Sequence, residues 1–149
     1  MTKILFICHG NICRSPMAEM ILKTWLDPTR FQIDSMACSN EEIGNPIYPK
    51  AKRILEQHHI KIEPHRAKAF KKEDYATYDR IFCMDFSNLA RLKRICPDQD
   101  HKYHLLLEPL GSDLEVDDPW YTDDFETCFR QICAGLKAWF KQDLDPSVL

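Results

Sequence analysis

The chain has 149 residues, 44% of them hydrophobic, and a formal net charge of −3 at pH 7. That length predicts one domain, residues 1–149, with a single substantial core, and the lack of a basic excess removes nucleic acid as an expected partner. Seven cysteines, an odd number, with no signal-peptide pattern and no long apolar span, point to free thiols in a reducing cytoplasmic setting and to no membrane partner.

Taken in order, strand-like and helix-like stretches alternate. Residues 3–7 read as a buried strand around Ile4-Leu5-Phe6-Ile7. The chain then turns through Gly10 and Asn11 into a helix over 17–26, with Ser15 as N-cap, Pro16 in the first turn and Asp27-Pro28 beyond its end. A second strand spans 31–37, and a loop over 38–48 turns at Gly44-Asn45-Pro46. Pro49 opens a helix to about residue 58, on which Ala51, Ile54 and Leu55 recur at helical spacing. After a linker around Pro64, a short helix is predicted over 73–78 and a buried strand over 80–84. Ser87 then caps a helix with Leu89, Leu92 and Ile95 on one face. A fourth strand covers 103–107, and a last helix over 124–140 carries Phe125, Phe129, Ile132, Leu136 and Trp139 as a core stripe. This rhythm predicts an α/β three-layer sandwich, a parallel sheet with helices on both faces. Ligands of such sheets bind at the carboxyl ends of strands, where Cys8 and Asp85 both fall.

The stretch from Cys8 to Pro16 carries the chemistry. A strand that stops abruptly, a Gly-Asn turn and a helix start form a nest of backbone N–H groups for a tetrahedral oxyanion. The residues of that nest are His9, Gly10, Asn11, Ile12, Cys13, Arg14 and Ser15. Cys8 faces it, where the helix field and Arg14 favour the thiolate and make it a nucleophile. Arg14 offers a planar fork to two phosphoryl oxygens and neutralises charge as the group transfers. The Ser15 hydroxyl can hydrogen-bond the thiolate, and Asn11 tolerates the left-handed backbone that a cradle needs. Cys8, His9 and Cys13 lack a second ligand pair at finger-like spacing, so no metal is assigned.

Cysteine, five residues, arginine, then serine-proline resembles the phosphate loop of the low-molecular-weight protein tyrosine phosphatases, and the resemblance runs through nearly the whole chain. It implies a four-stranded sheet in order 2-1-3-4. It also implies hydrolysis of phosphotyrosine and other aryl phosphate monoesters through a phosphoryl-cysteine, without cofactor. The implied partners are phosphotyrosine-containing proteins or small aryl phosphates, with inorganic phosphate or other oxyanions as product-like ligands. The family carries its general acid in an aspartate-proline-aromatic motif, which places Asp118 ahead of Asp117 in the run Val116 to Tyr121. Ser35 and His65 match positions that support the loop together with Asn11 and Ser15, and Asp85 and Asn88 match a structural pattern. Lys68 stands where the family commonly has arginine.

Asp118 would protonate the departing oxygen and then activate water. Burial beside Trp120 and the charge of a phosphate dianion would both favour the protonated acid, so activity should peak on the acid side of neutrality. Trp120 and Tyr121 can sandwich a flat phenol and favour aryl over short alkyl esters; the family usually has tyrosine where Trp120 stands. His9, Ile12 and Glu41 are expected at the rim, Glu41 disfavouring acidic residues beside the phosphotyrosine. Cys13, on a curled loop with Cys8, can capture oxidised Cys8 as a disulfide, and the resemblance implies the same pairing. Two further functions stay open. Thioredoxin-coupled arsenate reduction would find a poor relay in Cys83 and Cys96 and no task for Asp118-Pro119. A catalytically silent phosphate-binding module is the other. The expected state is a monomer with weak self-association through exposed aromatic rings.

Overall fold

The computed structural model describes residues 1–149. In chain order its elements are β1 (Thr2–Cys8), α1 (Arg14–Trp25), β2 (Phe31–Ala37), α2 (Pro49–Gln57), β3 (Arg80–Cys83), α3 (Phe86–Ile95), β4 (Tyr103–Leu105), α4 (Pro119–Thr122) and α5 (Phe125–Trp139). Successive strand side chains point to opposite faces, and β1 is apolar on both, so it belongs in the middle of a sheet covered on both sides. Ile4, Phe6 and Cys8 enter one core with residues of α1, α2 and α5, while Leu5 and Ile7 enter a second with Leu92 of α3 and Tyr75. The four strands are parallel in order β2-β1-β3-β4. Fold class and strand order are those expected from the sequence and the resemblance.

The larger core fixes where the site can sit. Phe6 stacks on Phe82 with ring centroids 5.6 Å apart, and both are fully buried, which anchors the strand that ends at Cys8. Each such ring stabilises the fold by roughly 1.5–3 kcal/mol. At Gly135 a Cβ would meet the Leu106 carbonyl oxygen at 2.9 Å. Helix α5 therefore lies directly on the segment after β4, and only glycine permits that approach.

Several local expectations are corrected. Helix α1 starts at Arg14 with Cys13 as its N-cap and no side-chain cap, because the Ser15 hydroxyl is engaged by Cys8 and Asn11 instead of helix amides. Asp85, not Ser87, caps α3: its Oδ1 accepts from the Asn88 amide at 2.7 Å. The short helix expected over 73–78 is a 3-10 helix that starts and ends earlier, Lys72–Ala76. Strand β4 stops at Leu105, since Leu106 and Leu107 turn into the core. Trp139 is half-buried rather than central; its ring N–H donates to the Leu106 carbonyl at 2.8 Å, and Phe140 is the fully buried ring there. No helix is long and apolar enough to cross a membrane.

Candidate active site

An open cleft of about 860 Å³ lies at the carboxyl ends of β1 and β3. Its wall brings together Cys8, His9, Gly10, Ile12, Cys13, Arg14, Glu41, Asp118, Trp120 and Tyr121, ten of the residues anticipated from the sequence. Asn11, Ser15 and Ser35 are buried behind the loop, and His65 is half-buried there.

The loop separates its acceptors from its donors. The carbonyls of Cys8, His9, Asn11, Ile12 and Cys13 accept from the Cys38 amide, the Ser39 hydroxyl, His65, the Tyr48 amide and the Met17 amide. The amides of Gly10, Ile12, Cys13, Arg14 and Ser15 bond to nothing within the protein. A curled backbone with its carbonyls tied outward and its N–H groups unpaired is an anion receptor. Asn11 adopts φ +59°, the left-handed conformation expected of it.

Behind the loop the proton directions can be read from chemistry. The Asn11 side-chain NH2 donates to Ser15 Oγ at 2.8 Å and to Ser35 Oγ at 2.9 Å, and the Ser35 hydroxyl donates to the buried Glu19 carboxylate. Ser15 Oγ lies 3.0 Å from Cys8 Sγ, and while accepting from Asn11 it keeps its own proton, free to point at a thiolate there. The Asn11 amide also reaches the sulfur, at 3.3 Å. His65 Nε2 lies 2.7 Å from the Asn11 carbonyl, so that nitrogen carries the proton. Lys68 contributes its backbone, whose N–H donates to Asn11 Oδ1 at 3.2 Å; its side chain is exposed.

Arg14 is only 3% exposed. Its Nη1 donates to Asp85 Oδ2 and to the Val116 carbonyl, each at 2.9 Å, and Nη2 makes a longer 3.5 Å contact with Asp118 Oδ2. Burial would weaken the guanidinium's hold on its proton, but Cys8, Asp118 and Asp85 outweigh that and raise its pKa above the ordinary value. Asp118 is the N-cap of α4, with Oδ1 accepting from the Trp120 amide at 3.1 Å and Pro119 at the first helical position. The Asp118 carboxyl is half-buried, 31% exposed, but the Trp120 ring expected beside it is 66% exposed and meets Tyr48 edge-on at 5.7 Å. Tyr121 is 84% exposed, so neither ring is closed over the cleft. Asp117 is exposed.

At the rim, His9 Nε2 and Glu41 Oε2 are 2.8 Å apart. Cys13 is half-buried; desolvation, then the neighbouring Cys128 and Cys8, push its thiol far up. Cys38 and Cys128 are each pushed up by burial to about 12. Cys83 and Cys96 are buried in β3 and at the end of α3. Sequence reading missed two supports. Asp85 was expected to be structural, yet it holds the guanidinium; Glu19, a carboxylate in an apolar stretch of α1, was not singled out.

Fold and site together define an α/β protein that holds an oxyanion receptor over a cysteine at the end of a central parallel strand. Residues 3–147 match the family described as low molecular weight phosphotyrosine protein phosphatase. The human and mouse proteins of that name are each 37% identical over 150 residues, covering 93% of this chain and 94% of theirs. A crystal structure of a low molecular weight protein tyrosine phosphatase from Streptococcus pyogenes is 35% identical, with a TM-score of 0.88, covering 99% of this chain and 96% of that one. Vibrio vulnificus Wzb, solved with benzylphosphonate, is 26% identical with a TM-score of 0.85, covering 95% and 98%. The chain belongs to the low molecular weight phosphotyrosine protein phosphatase family, and it is a phosphatase acting on phosphotyrosine through a cysteine intermediate, the mechanism general to that family.

Proposed function

We propose that Cys8, Arg14 and Asp118 divide the reaction among them, within a single phosphatase domain of residues 1–149. The Cys8 thiolate attacks phosphorus; the S–P bond forms as the ester P–O bond breaks, and Asp118 gives its proton to the departing phenolate oxygen. Asp118, now a carboxylate, takes a proton from water; the new P–O bond displaces sulfur, and inorganic phosphate leaves. The Arg14 guanidinium and the unpaired loop amides carry the charge that spreads over the phosphoryl oxygens. Substrate phosphate competes with Asp118 for Arg14 at their 3.5 Å contact.

The observation that carries this reading is the Cys8 sulfur, 3.0 Å from the Ser15 hydroxyl and 3.3 Å from the Asn11 amide, in one cleft with Arg14 and Asp118. That the Vibrio vulnificus relative was solved in complex with benzylphosphonate supports a phosphoryl group carried on a flat aromatic ring as substrate. We place the reaction in a reducing, cytoplasmic setting on a monomer, since a sulfur nucleophile must stay unoxidised. When a peroxide converts Cys8 to its sulfenic acid, the Cys13 thiol condenses with it, forming the disulfide and releasing water. Acid quenching of Asp118→Ala during turnover of an aryl phosphate should trap phosphate on Cys8, detected by peptide mass spectrometry. Phosphate trapped elsewhere, or nowhere, overturns the assignment.

A further inference from the structure

Six carboxylates and two arginines line the cleft, and one of those arginines, Arg91 on α3, has no acidic partner. Arg14 is paired with Asp85 and Asp118, and Arg91 with nothing. Arg91 is half-buried in the cleft wall, yet no carboxylate oxygen comes within 4.0 Å of its nitrogens. Two of the carboxylates lining the cleft are engaged elsewhere. Asp85 holds the Arg14 guanidinium and the Asn88 amide, and Glu115 accepts from the Phe86 amide at 2.8 Å. Ser87, which also lines the cleft, precedes Arg91 by four residues on α3, so the two share a helical face, and the Ser87 hydroxyl is likewise unpartnered. Glu41 and Glu42 line the cleft as well, on the loop that follows β2. A half-buried guanidinium without a counter-charge is a place where an incoming carboxylate gains a charge-assisted hydrogen bond at little further desolvation cost.

We infer that Arg91, with Ser87, forms a subsite for an acidic side chain of the substrate, on one flank only of the phosphotyrosine. The inference rests on the phosphotyrosine reading above and gives it a direction. An acidic side chain laid along α3 meets Arg91, whereas one laid along the loop that carries Glu41 and Glu42 is repelled. Arg91 acts on substrate choice rather than on the reacting atoms. A small aryl phosphate presents no group to α3.

The test uses 4-nitrophenyl phosphate and three phosphotyrosine peptides of equal length, with aspartates N-terminal to the phosphotyrosine, aspartates C-terminal to it, or glutamines at both places. At low ionic strength, kcat/KM for one acidic peptide should exceed that for the neutral peptide by about three- to ten-fold, and the other acidic peptide should not gain. Arg91→Gln should erase the advantage and Arg91→Glu reverse it, while added salt shrinks it. An advantage unchanged in Arg91→Glu, or no acidic advantage in the unaltered enzyme, overturns the subsite. Failure of the unaltered enzyme to turn over 4-nitrophenyl phosphate would instead overturn the phosphatase reading itself.

Discussion

Two polar clusters of this protein are built from similar parts and do different work. Behind the cradle, Glu19, Ser35, Asn11 and Ser15 form one chain of hydrogen bonds that ends at a sulfur facing the cleft. At the far edge of the sheet, Asp98 accepts from the Tyr75 hydroxyl at 2.6 Å and from the Lys102 and Tyr103 amides, and Lys102 bonds the Tyr75 carbonyl and lies 4.7 Å from its ring. The edge cluster closes on itself and leaves nothing to offer a ligand. The cradle is satisfied on its inner side and open on its outer side. Chemistry here follows from where pairing stops, not from how many polar groups are gathered.

Breaking the open end gives the largest effect. Cys8→Ser should lower kcat by about 10⁴-fold or more while phosphate still binds, because the amides and Arg14 remain; isothermal titration with phosphate checks the second half. Asp118→Ala comes next. It should cost about 10²-fold or more on esters of poor leaving groups and far less on activated phenols, and equal losses across a leaving-group series would exclude it as the proton donor.

Ser35→Ala reaches the same sulfur from behind, leaving the Asn11 amide and the Glu19 carboxylate short of a partner. It should cost about 1–3 kcal/mol of stability and lower kcat together, by denaturant melts and initial rates. Asp98→Asn sharpens the contrast because it touches only the closed cluster. Burial would raise the Asp98 carboxyl, but the Tyr75 hydroxyl and the two amides outweigh it and hold the group below the usual carboxylate range. Its contribution is therefore fully present above the unfolded value of about 3.9 and fades as pH falls through the lower folded value. Below about pH 4 the unaltered protein should lose roughly 1 kcal/mol or less that Asp98→Asn never had, with rates at pH 6 the same in both. A drop in activity at pH 6 would show that the two clusters are coupled.

The legibility of the site followed the distance between partners along the chain. Asn11, Ser15 and Cys8 lie within seven residues, so their bonds to one another are set by one turn and the start of one helix. The corrections arose where distant segments competed for a group. Ser15 looked like a cap until its hydroxyl was claimed by the sulfur, and Asp85 looked structural until Arg14, 71 residues away, was found on its second oxygen. The Trp120 ring was expected to help bury Asp118 beside it, but it meets Tyr48, a contact across more than seventy residues.

The sequence by itself determined the parallel α/β architecture, the cysteine at a strand end and the anion-binding turn, because period, turn chemistry and consecutive backbone N–H groups are local properties. Only the tertiary structure decided what Arg14 leans on, that Arg91 lines the cleft without an acidic partner, and how exposed the aromatic rim is. Those depend on which remote side chain arrives first at a buried donor, and in a close-packed interior that competition is settled by the whole fold at once.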